Sequence, residues 1–290
     1  MFSRLIEQIS ELSCLDFDVA SDRIQSYVDS CEDFCDLIRQ IGVIPESIEH
    51  DSTEEKLFSK ASDAVLARAF RELGLRATVL RERGDSADVI AKSCYHGYSL
   101  VADAKAFRLS RTAKNQKDFK VSALSGWRKD ADYAVLCSPY YQYPKSRSQI
   151  YAQAVDHNVC LLSWEHILFL IQQGVSENAE LSLAPLWNCS GKYAEECVVA
   201  QKKNCFMHVI DDTLTAVAQC NGDDFKLCLF NCRRAYRFRA NDEIAYWETE
   251  KRKIQSLTRE EAILELIAAR KIDEKITQIN KYMAGIRVHD

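Results

Sequence analysis

The segment YSLVADAKAF, residues 98–107, sets two charged side chains into an otherwise apolar run. Because side chains alternate between the faces of a β-strand, Asp103 and Lys105 should point the same way, with the alanines on the opposite face. A carboxylate and an ammonium in an apolar strand are costly unless they are paired or used. Fifteen residues before Asp103, the segment ADVIA (87–91) opens a second strand with Asp88. Paired as a hairpin, these strands would place Asp88 beside Asp103.

Two carboxylates and a lysine at one point suit the hydrolysis of a phosphodiester. Carboxylate oxygens hold Mg²⁺, which keeps several waters and binds phosphate. Such a metal acidifies a bound water and balances charge on the leaving oxygen, while a lysine orients the attacking water and stabilises the pentavalent phosphorus. The alternative for Asp103 and Lys105 is a purely structural ion pair.

The acid-x-Lys pattern alone is weak, because it recurs at Glu54/Lys56, Asp118/Lys120, Asp224/Lys226 and Asp273/Lys275. Asp118 follows Asp103 by the same fifteen residues that separate Asp88 from Asp103, so Asp103, Asp118 and Lys120 form a competing site. The residues before Asp118 are polar throughout and predict no buried strand to hold it, which favours Asp88.

Glu55 is a candidate fourth member of the site. Ser52-Thr53-Glu54-Glu55 has the form of a capping box, in which Glu55 would serve the start of a helix. A helix N-terminus packed on the sheet can also present a carboxylate to a metal, so the two roles are compatible.

Periodicity predicts a mixed α/β core with helical additions at both ends. The first 40 residues read as helix, and residues 53–73 as a strong helix closed by Gly74. Strands are predicted at 75–81, 88–91, 98–107, 133–138 and 159–163, and helices at 112–127 and 164–172. The pattern from residue 176 onward is mostly helical. We expect one catalytic domain over 1–290, with its core at about 41–175 and a helical part at about 176–290.

Composition points to a soluble, cytoplasmic protein. Of the 290 residues 47% are hydrophobic, but no apolar run approaches the roughly 18 residues of a membrane span. The first residues resemble an amphipathic helix and lack the core of a signal peptide. The 12 cysteines are scattered without a C-x-x-C pair, which favours reduced thiols over zinc ligands.

The net charge of −5 argues against a general nucleic-acid coat, but basic residues are concentrated where the chemistry is expected. Residues 105–129 hold eight lysines and arginines, opposed only by Asp118. A charge run is usually a solvated face. Here it directly follows the strand that carries Asp103 and Lys105.

Several long stretches resemble the HindIII family of type II restriction endonucleases. They are STEEKLFSKASDAVLARAF (52–70), YSLVADAKAFRLSRTAKNQKDFKVSALSGWR (98–128), DYAVL (132–136), QYPKSRSQI (142–150) and LSWEHI (162–167). The resemblance is strong over about 41–170, faint at 258–263 and slight in 176–250. It implies the PD-(D/E)xK nuclease fold, a homodimer and two Mg²⁺ ions per site. It also implies cleavage of double-stranded AAGCTT after the first A, with 5′ overhangs, and a cognate DNA methyltransferase that protects the host.

The same resemblance assigns roles to residues. It implies that Asp88 and Asp103 ligate metal with the help of the Ala104 carbonyl, that Lys105 is the catalytic lysine, and that Glu55 lies near the second metal. Ala87 replaces the proline that usually precedes the first aspartate, and because that proline binds nothing, the difference puts little in doubt.

The stretch after the active strand has the residue types of a DNA-reading surface. Arg108, Arg111 and Lys114 suit phosphates, which give affinity and register but no sequence information. Asn115, Gln116, Lys117 and Asp118 are the types that read base edges. Two alternatives remain at this point: a sequence-specific DNA-binding protein without catalysis, and a repair or junction nuclease of the same superfamily.

Overall fold

A five-stranded mixed sheet forms the centre of the protein. The computed structural model describes residues 2–81, 86–111, 116–144, 148–197 and 206–285. The strands lie in the order β1-β2-β3-β4-β5, at Arg76–Val79, Val89–Lys92, Ser99–Ala104, Tyr133–Ser138 and Val159–Ser163. The first two pairings are antiparallel and the last two are parallel. The predicted α/β class is confirmed.

Fourteen helices are described, together with a short 3₁₀ turn at Tyr140–Gln142. The helices of the amino-terminal half and the sheet region are α1 (Phe2–Leu12), α2 (Phe17–Ser30), α3 (Phe34–Ile41), α4 (Thr53–Glu72), α5 (Gln116–Phe119), α6 (Val121–Trp127), α7 (Gln149–Asp156) and α8 (Trp164–Gln172). Those that follow are α9 (Ala184–Trp187), α10 (Cys189–Cys197), α11 (Phe206–Val217), α12 (Gly222–Ser256), α13 (Arg259–Ala269) and α14 (Ile272–Gly285).

Helix α4 supports the half of the sheet that carries the predicted site. It packs against β1, β2 and β3 on one side and against α2 on another. The Ser52 side chain caps its first turn by accepting a hydrogen bond from the Glu55 backbone N–H at 3.1 Å. The chain leaves the helix through Gly74, whose φ is +87°, and a Cβ there would lie 2.6 Å from the Glu177 carbonyl oxygen. Only glycine fits this turn.

The secondary structure of residues 112–127, which follow β3, differs from the prediction. One helix was expected from 112 to 127, whereas the described part of that range holds two short helices, α5 and α6. Lys120 separates them with φ +49° and ψ 34°. This left-handed conformation breaks the helical hydrogen-bond ladder, and Phe119 and Val121 on either side are fully buried.

The contacts divide the chain into two compact units, residues 1–240 and residues 241–290. The first unit contains the sheet and its buried core. The second contains the end of α12 together with α13 and α14, and α13 has no buried residue. A single domain over 1–290 therefore stays a prediction. None of the described helices is long and apolar enough to cross a membrane. The ten cysteines described are free thiols, as expected.

Candidate active site

The ends of β2 and β3 bring Asp88 to Asp103. In the antiparallel pair, Val89 lies opposite Ala102. The pairing continues one step beyond the strand, because the Asp88 N–H donates to the Ala102 carbonyl at 3.2 Å and Leu80 donates to the Asp88 carbonyl at 2.8 Å. The residue after Ala102 is Asp103, so the two carboxylates lie at the same end of the sheet, close enough for the charge of Asp88 to raise the pKa of Asp103.

Asp103 is a buried carboxylate whose side chain is only 1% exposed. Lys105 Nζ lies 2.5 Å from Asp103 Oδ2. Within the described part of the chain, neither oxygen of Asp103 receives a hydrogen bond of good geometry. Burial raises the pKa of Asp103 to about 6, against the lowering effect of Lys105, and the nearby Asp88 raises it further. The charged form of the buried Asp103 carboxylate therefore needs a cation beside it.

The backbone holds Lys105 in place beyond the end of β3. Its N–H donates to the Cys137 carbonyl of β4 at 2.7 Å, and its carbonyl accepts from Trp164 Nε1 at 3.0 Å. Two residues later, Phe107 donates to the Gly42 carbonyl at 3.0 Å. Ala104 lies at the last position of β3, opposite Cys137. These contacts set the direction of the Lys105 side chain toward Asp103.

Helix α4 adds two residues that sequence reasoning missed. Lys60 Nζ lies 3.5 Å from Asp88 Oδ1 and 3.1 Å from Asp63 Oδ2. The Asp63 side chain is 3% exposed. Burial raises the pKa of Asp63 well above its ordinary value, and Asp88 adds to the increase. Burial opposes the charge on Lys60, but Asp63 and Asp88 raise its pKa overall. Three carboxylates and two lysines thus share one cluster, in which Asp63 and Asp103 are buried and Lys60 and Asp88 are partly exposed.

A signal for this pair was present in the sequence. Asp63 lies in the middle of α4, where the helix is buried on all sides, as Ala61, Ala64 and Val65 show. A charged residue on a buried helix face needs a partner. Lys60, three residues earlier on the same face, is that partner.

The carboxylate of Glu55 makes other contacts than those of a residue that only caps a helix. Its carboxylate accepts from the Asp51 N–H at 2.8 Å and from Arg108 Nη2 at 2.7 Å. The reciprocal bond of a capping box, to the N–H of Ser52, is replaced by the bond to Asp51. None of the contacts described for Glu55 joins it to Asp88 or Asp103, and its metal role stays a prediction.

The structure describes part of the predicted DNA-reading stretch. Arg108 binds Glu55 and also donates to the Pro45 carbonyl at 2.8 Å. Arg111 forms an ion pair with Asp118 of α5, and Lys117 lies exposed on the same helix. Lys114 and Asn115 lie outside the described residues, as does the side chain of Gln116. The competing site built on Asp118 and Lys120 is not favoured, because Asp118 pairs with Arg111 and Lys120 lies over the Trp127 ring.

The cluster fits a hard divalent cation. Oxygen ligands are what Mg²⁺ prefers, and Asp88, Asp103 and the Ala104 carbonyl are the oxygen donors that could hold it. The buried oxygens of Asp103, with no hydrogen bond of good geometry in the described chain, are the donors that a metal would satisfy. A second set, His50, Asp51 and Glu55, has one ligand atom each within 4.8 Å of the others. His50 and Asp51 are exposed, and exposed acidic groups are common without an ion.

Comparison with known proteins decides the family. A model of the HindIII restriction endonuclease family matches residues 3–283. The type II restriction enzyme HindIII of Haemophilus influenzae is 41% identical over 289 residues, covering 99% of this chain and 96% of that enzyme. The chain belongs to the HindIII restriction endonuclease family. It is therefore a type II restriction endonuclease, a site-specific deoxyribonuclease.

Membership in the HindIII family extends further along the chain than the motifs suggested. The resemblance seen in the sequence was strong only over about 41–170. The match to the family runs to residue 283, so it includes α12, α13 and most of α14. The carboxyl-terminal helices are thus part of the family architecture, and their function needs an explanation.

Proposed function

We propose that this HindIII-family enzyme hydrolyses double-stranded DNA at AAGCTT, after the first A, with Mg²⁺ as its cofactor. The supporting observation is the cluster of Asp88, Asp103 and Lys105, where a buried carboxylate, its neighbour and an ammonium meet at one end of β2 and β3. The identity to HindIII of Haemophilus influenzae supports the same recognition sequence. We further propose a cytoplasmic homodimer that leaves 5′ overhangs.

Each residue of the cluster has a distinct task in this proposal. Asp88, Asp103 and the Ala104 carbonyl would hold Mg²⁺, with two ions per site and Glu55 near the second. Bound Mg²⁺ acidifies water and stabilises the charge on the leaving oxygen. Lys105 Nζ orients the attacking water and donates to the phosphate oxygens as negative charge develops on them. The hydrogen bonds of the Lys105 backbone to Cys137 and Trp164 keep this ammonium in position.

The arginines beside the cluster support phosphate binding. Arg108 and Arg111 are each paired with a carboxylate, Glu55 and Asp118. A DNA phosphate offers these guanidinium groups a second acceptor of matching geometry. In this proposal Arg111 turns from Asp118 to a phosphate, and the Asp118 carboxylate accepts from a cytosine amino group. Lys114, Asn115, Gln116 and Lys117 are proposed as the other reading residues on sequence grounds.

A palindromic target explains the proposed homodimer, because a two-fold symmetric protein reads two equal half-sites. An enzyme that cuts such a sequence endangers the DNA of its own cell. We therefore propose that a DNA methyltransferase of the same specificity accompanies it.

Digestion of a fully sequenced plasmid tests the proposal. Wild-type protein is incubated in Mg²⁺ and in EDTA, beside Asp103→Asn and the matched variant Asp130→Asn in an exposed turn. We expect discrete Mg²⁺-dependent fragments with ends inside AAGCTT, lost only in Asp103→Asn. Fragments ending at another sequence would refute the recognition sequence but keep the site. Cleavage without defined ends would point to a repair or junction nuclease. Binding without cleavage by a folded dimer would leave a DNA-binding protein.

A further inference from the structure

The loop between α3 and α4 runs beside the chain that leaves β3. Val43 and Phe107 form an isolated parallel bridge. The Phe107 N–H donates to the Gly42 carbonyl at 3.0 Å, and the Ile44 N–H donates to the Phe107 carbonyl at 3.3 Å. The loop therefore guides the backbone after the strand ends at Ala104.

Glu46 of this loop binds the same chain three residues further on. The residue is only 6% exposed. Its Oε1 accepts from the Ser110 N–H at 3.0 Å, and its Oε2 accepts from the Ser110 hydroxyl at 2.9 Å. A buried carboxylate is costly unless it is hydrogen-bonded, and hydrogen bonds to a carboxylate are stronger than those between neutral groups. Two such bonds fix the position of Ser110 relative to the loop.

Arg108 makes the contact between these two points. Its Nη1 donates to the Pro45 carbonyl at 2.8 Å, and its Nη2 donates to Glu55 Oε1 at 2.7 Å. The Arg108 side chain is largely buried by these contacts. The loop is itself braced, because the Ile48 N–H donates to the same Pro45 carbonyl at 3.2 Å. The loop and the start of α4 thus hold the segment 107–110 at three places.

The turn that contains Ser110 leads into the stretch proposed to read base edges. In the described part of that stretch, Arg111 pairs with Asp118 of α5 and lies over the Phe107 ring, 5.8 Å from its centroid. The Phe107 ring also packs against Phe119 of α5, with the centroids 5.4 Å apart. Hydrogen bonds to base edges depend steeply on distance and angle. The placement of Ser110 therefore affects how this stretch meets the DNA.

The same loop also touches the support of Lys105. A Cβ at Gly42 would lie 2.6 Å from Pro139 Cγ and 2.9 Å from Trp164 Cδ1, so any larger residue would displace one of these two rings. Trp164 Nε1 donates to the Lys105 carbonyl at 3.0 Å. One loop therefore packs against the support of Lys105 at Gly42 and binds Ser110 through its carboxylate.

We propose that Glu46 is a positioning residue for sequence recognition. Through Ser110 it sets the place of the reading stretch relative to the catalytic cluster. The inference rests on the proposed function, because that function assigns base reading to the stretch. Loss of folded protein lowers the cleavage of every sequence by the same factor, whereas a misplaced reading stretch lowers it mainly at the preferred sequence. Selectivity therefore distinguishes positioning from a merely structural role.

Cleavage of a fully sequenced plasmid by the full-length enzyme in Mg²⁺, with every end mapped by sequencing, measures this selectivity. Glu46→Met removes both acceptors. We expect the ratio of cleavage at the preferred sequence to cleavage at sequences one base pair different to fall about tenfold or more. The matched control is Glu49→Met, at an exposed position of the same loop, and its ratio should stay within about twofold of wild-type.

Two further variants test the hydrogen bonds themselves. Glu46→Gln keeps an oxygen that accepts from the Ser110 N–H, and its amide group can donate to the serine hydroxyl. We expect Glu46→Gln to retain the selectivity of wild-type enzyme. Ser110→Ala removes only the hydroxyl and leaves the loop intact, so the ratio should fall less than in Glu46→Met but in the same direction. It decides the question if Glu46→Met does not fold, as judged by its circular dichroism spectrum.

The outcomes separate this inference from the proposed function. A selective wild-type enzyme beside an equally selective Glu46→Met would overturn the inference alone, as would an equal fall in cleavage at all sequences. An unchanged ratio in Ser110→Ala would do the same where Glu46→Met is unfolded. Glu46→Gln behaving like Glu46→Met would assign the effect to charge and overturn positioning by hydrogen bonds. Wild-type enzyme that gives no defined ends would refute the proposed function, and this inference with it.

Discussion

The strand that carries the candidate site, β3, and the last described helix, α14, differ in how far their apolar residues are buried. In β3 two apolar residues that precede Asp103, Leu100 and Ala102, are completely buried. In α14 the equivalent apolar stripe is more than half exposed at Ile276 and Ile279. Both segments have regular apolar patterns, but only the first is satisfied within its own unit. A periodic pattern of apolar residues therefore predicts a face that tends to be buried, but it does not identify the residues that bury it.

The largest expected effect in the catalytic region follows removal of the Asp103 charge. Asp103→Asn keeps the volume of the side chain but removes a proposed metal ligand and the charge that pairs with Lys105. We expect Mg²⁺-dependent cleavage to fall on the order of 1,000-fold or more, by analogy with the loss of other charge-stabilising groups. Initial rates on a plasmid with one site measure it. A rate within tenfold of wild-type would contradict this role for Asp103, and Asp130→Asn provides the baseline.

The second effect is a pH dependence of stability that belongs to Asp103. Burial raises the pKa of Asp103 to about 6 in the folded protein. At a pH between this value and the pKa of Asp103 in the unfolded chain, the folded protein therefore binds a proton that the unfolded chain does not. The sign is therefore a gain in stability as the pH falls. The gain in the free energy of unfolding approaches about 3 kcal/mol at low pH, and roughly half of it is reached by pH 5.

Urea unfolding in EDTA from pH 8 to pH 5 measures this gain as the difference between wild-type protein and Asp103→Asn. The pKa of Asp63 is raised in the same direction, mainly by burial and by Asp88, so Asp63 contributes a pH dependence to both proteins. Equal pH profiles for the two proteins would contradict the buried charge. Affinity for Mg²⁺ should change in the opposite sense and fall below about pH 6, because the metal requires the ionised carboxylate.

The sequence predicted much of this region because its patterns are strong and local. Strands β4 and β5 and helix α8 were predicted with the observed bounds, and each is a short apolar run with clear ends. Asp88 beside Asp103 followed from the alternation of side chains and one hairpin. The break at Lys120 was missed, since a single residue with positive φ leaves no periodic signal.

The part of the site on α4 required three-dimensional packing to be seen. Lys60 lies twenty-eight residues before Asp88 in the chain, and its contact exists only because α4 lies across β2 and β3. The pairing of Glu55 with Arg108 depends on the same packing. Contacts between distant segments have no signature in local periodicity, so the contribution of Lys60 and Asp63 to the cluster was not predicted.

The third prediction concerns Lys60 as the cation of the metal-free cluster. Lys60→Met leaves Asp63 and Asp88 without their counter-charge, and we expect the free energy of unfolding in EDTA to fall by about 2 kcal/mol. Mg²⁺ should restore part of the loss, because a bound cation replaces the ammonium. Lys56→Met, on the exposed side of the same helix, is the matched control.

A double variant checks the cause of that loss. Lys60→Met/Asp63→Asn removes the buried acid together with its partner, so its stability should recover toward that of wild-type protein. If both variants are equally destabilised, the loss reflects packing of the lysine chain and not the charge of the cluster.

The smallest expected effect compares two similar capping sequences, one in each region. Glu55→Gln in α4 weakens the ion pair with Arg108, which is largely buried at both ends, and should cost about 1 kcal/mol of unfolding free energy. Glu261→Gln in α13 alters a solvent-exposed box in which glutamine serves as well as glutamate. We expect that change to leave equilibrium unfolding as it is in wild-type protein. Equal costs at both positions would mean that Arg108 adds nothing to Glu55 beyond its cap. A larger cost at Glu55, removed when Arg108→Met is introduced as well, would show that Glu261 only caps the start of α13, whereas Glu55 also joins the start of α4 to Arg108.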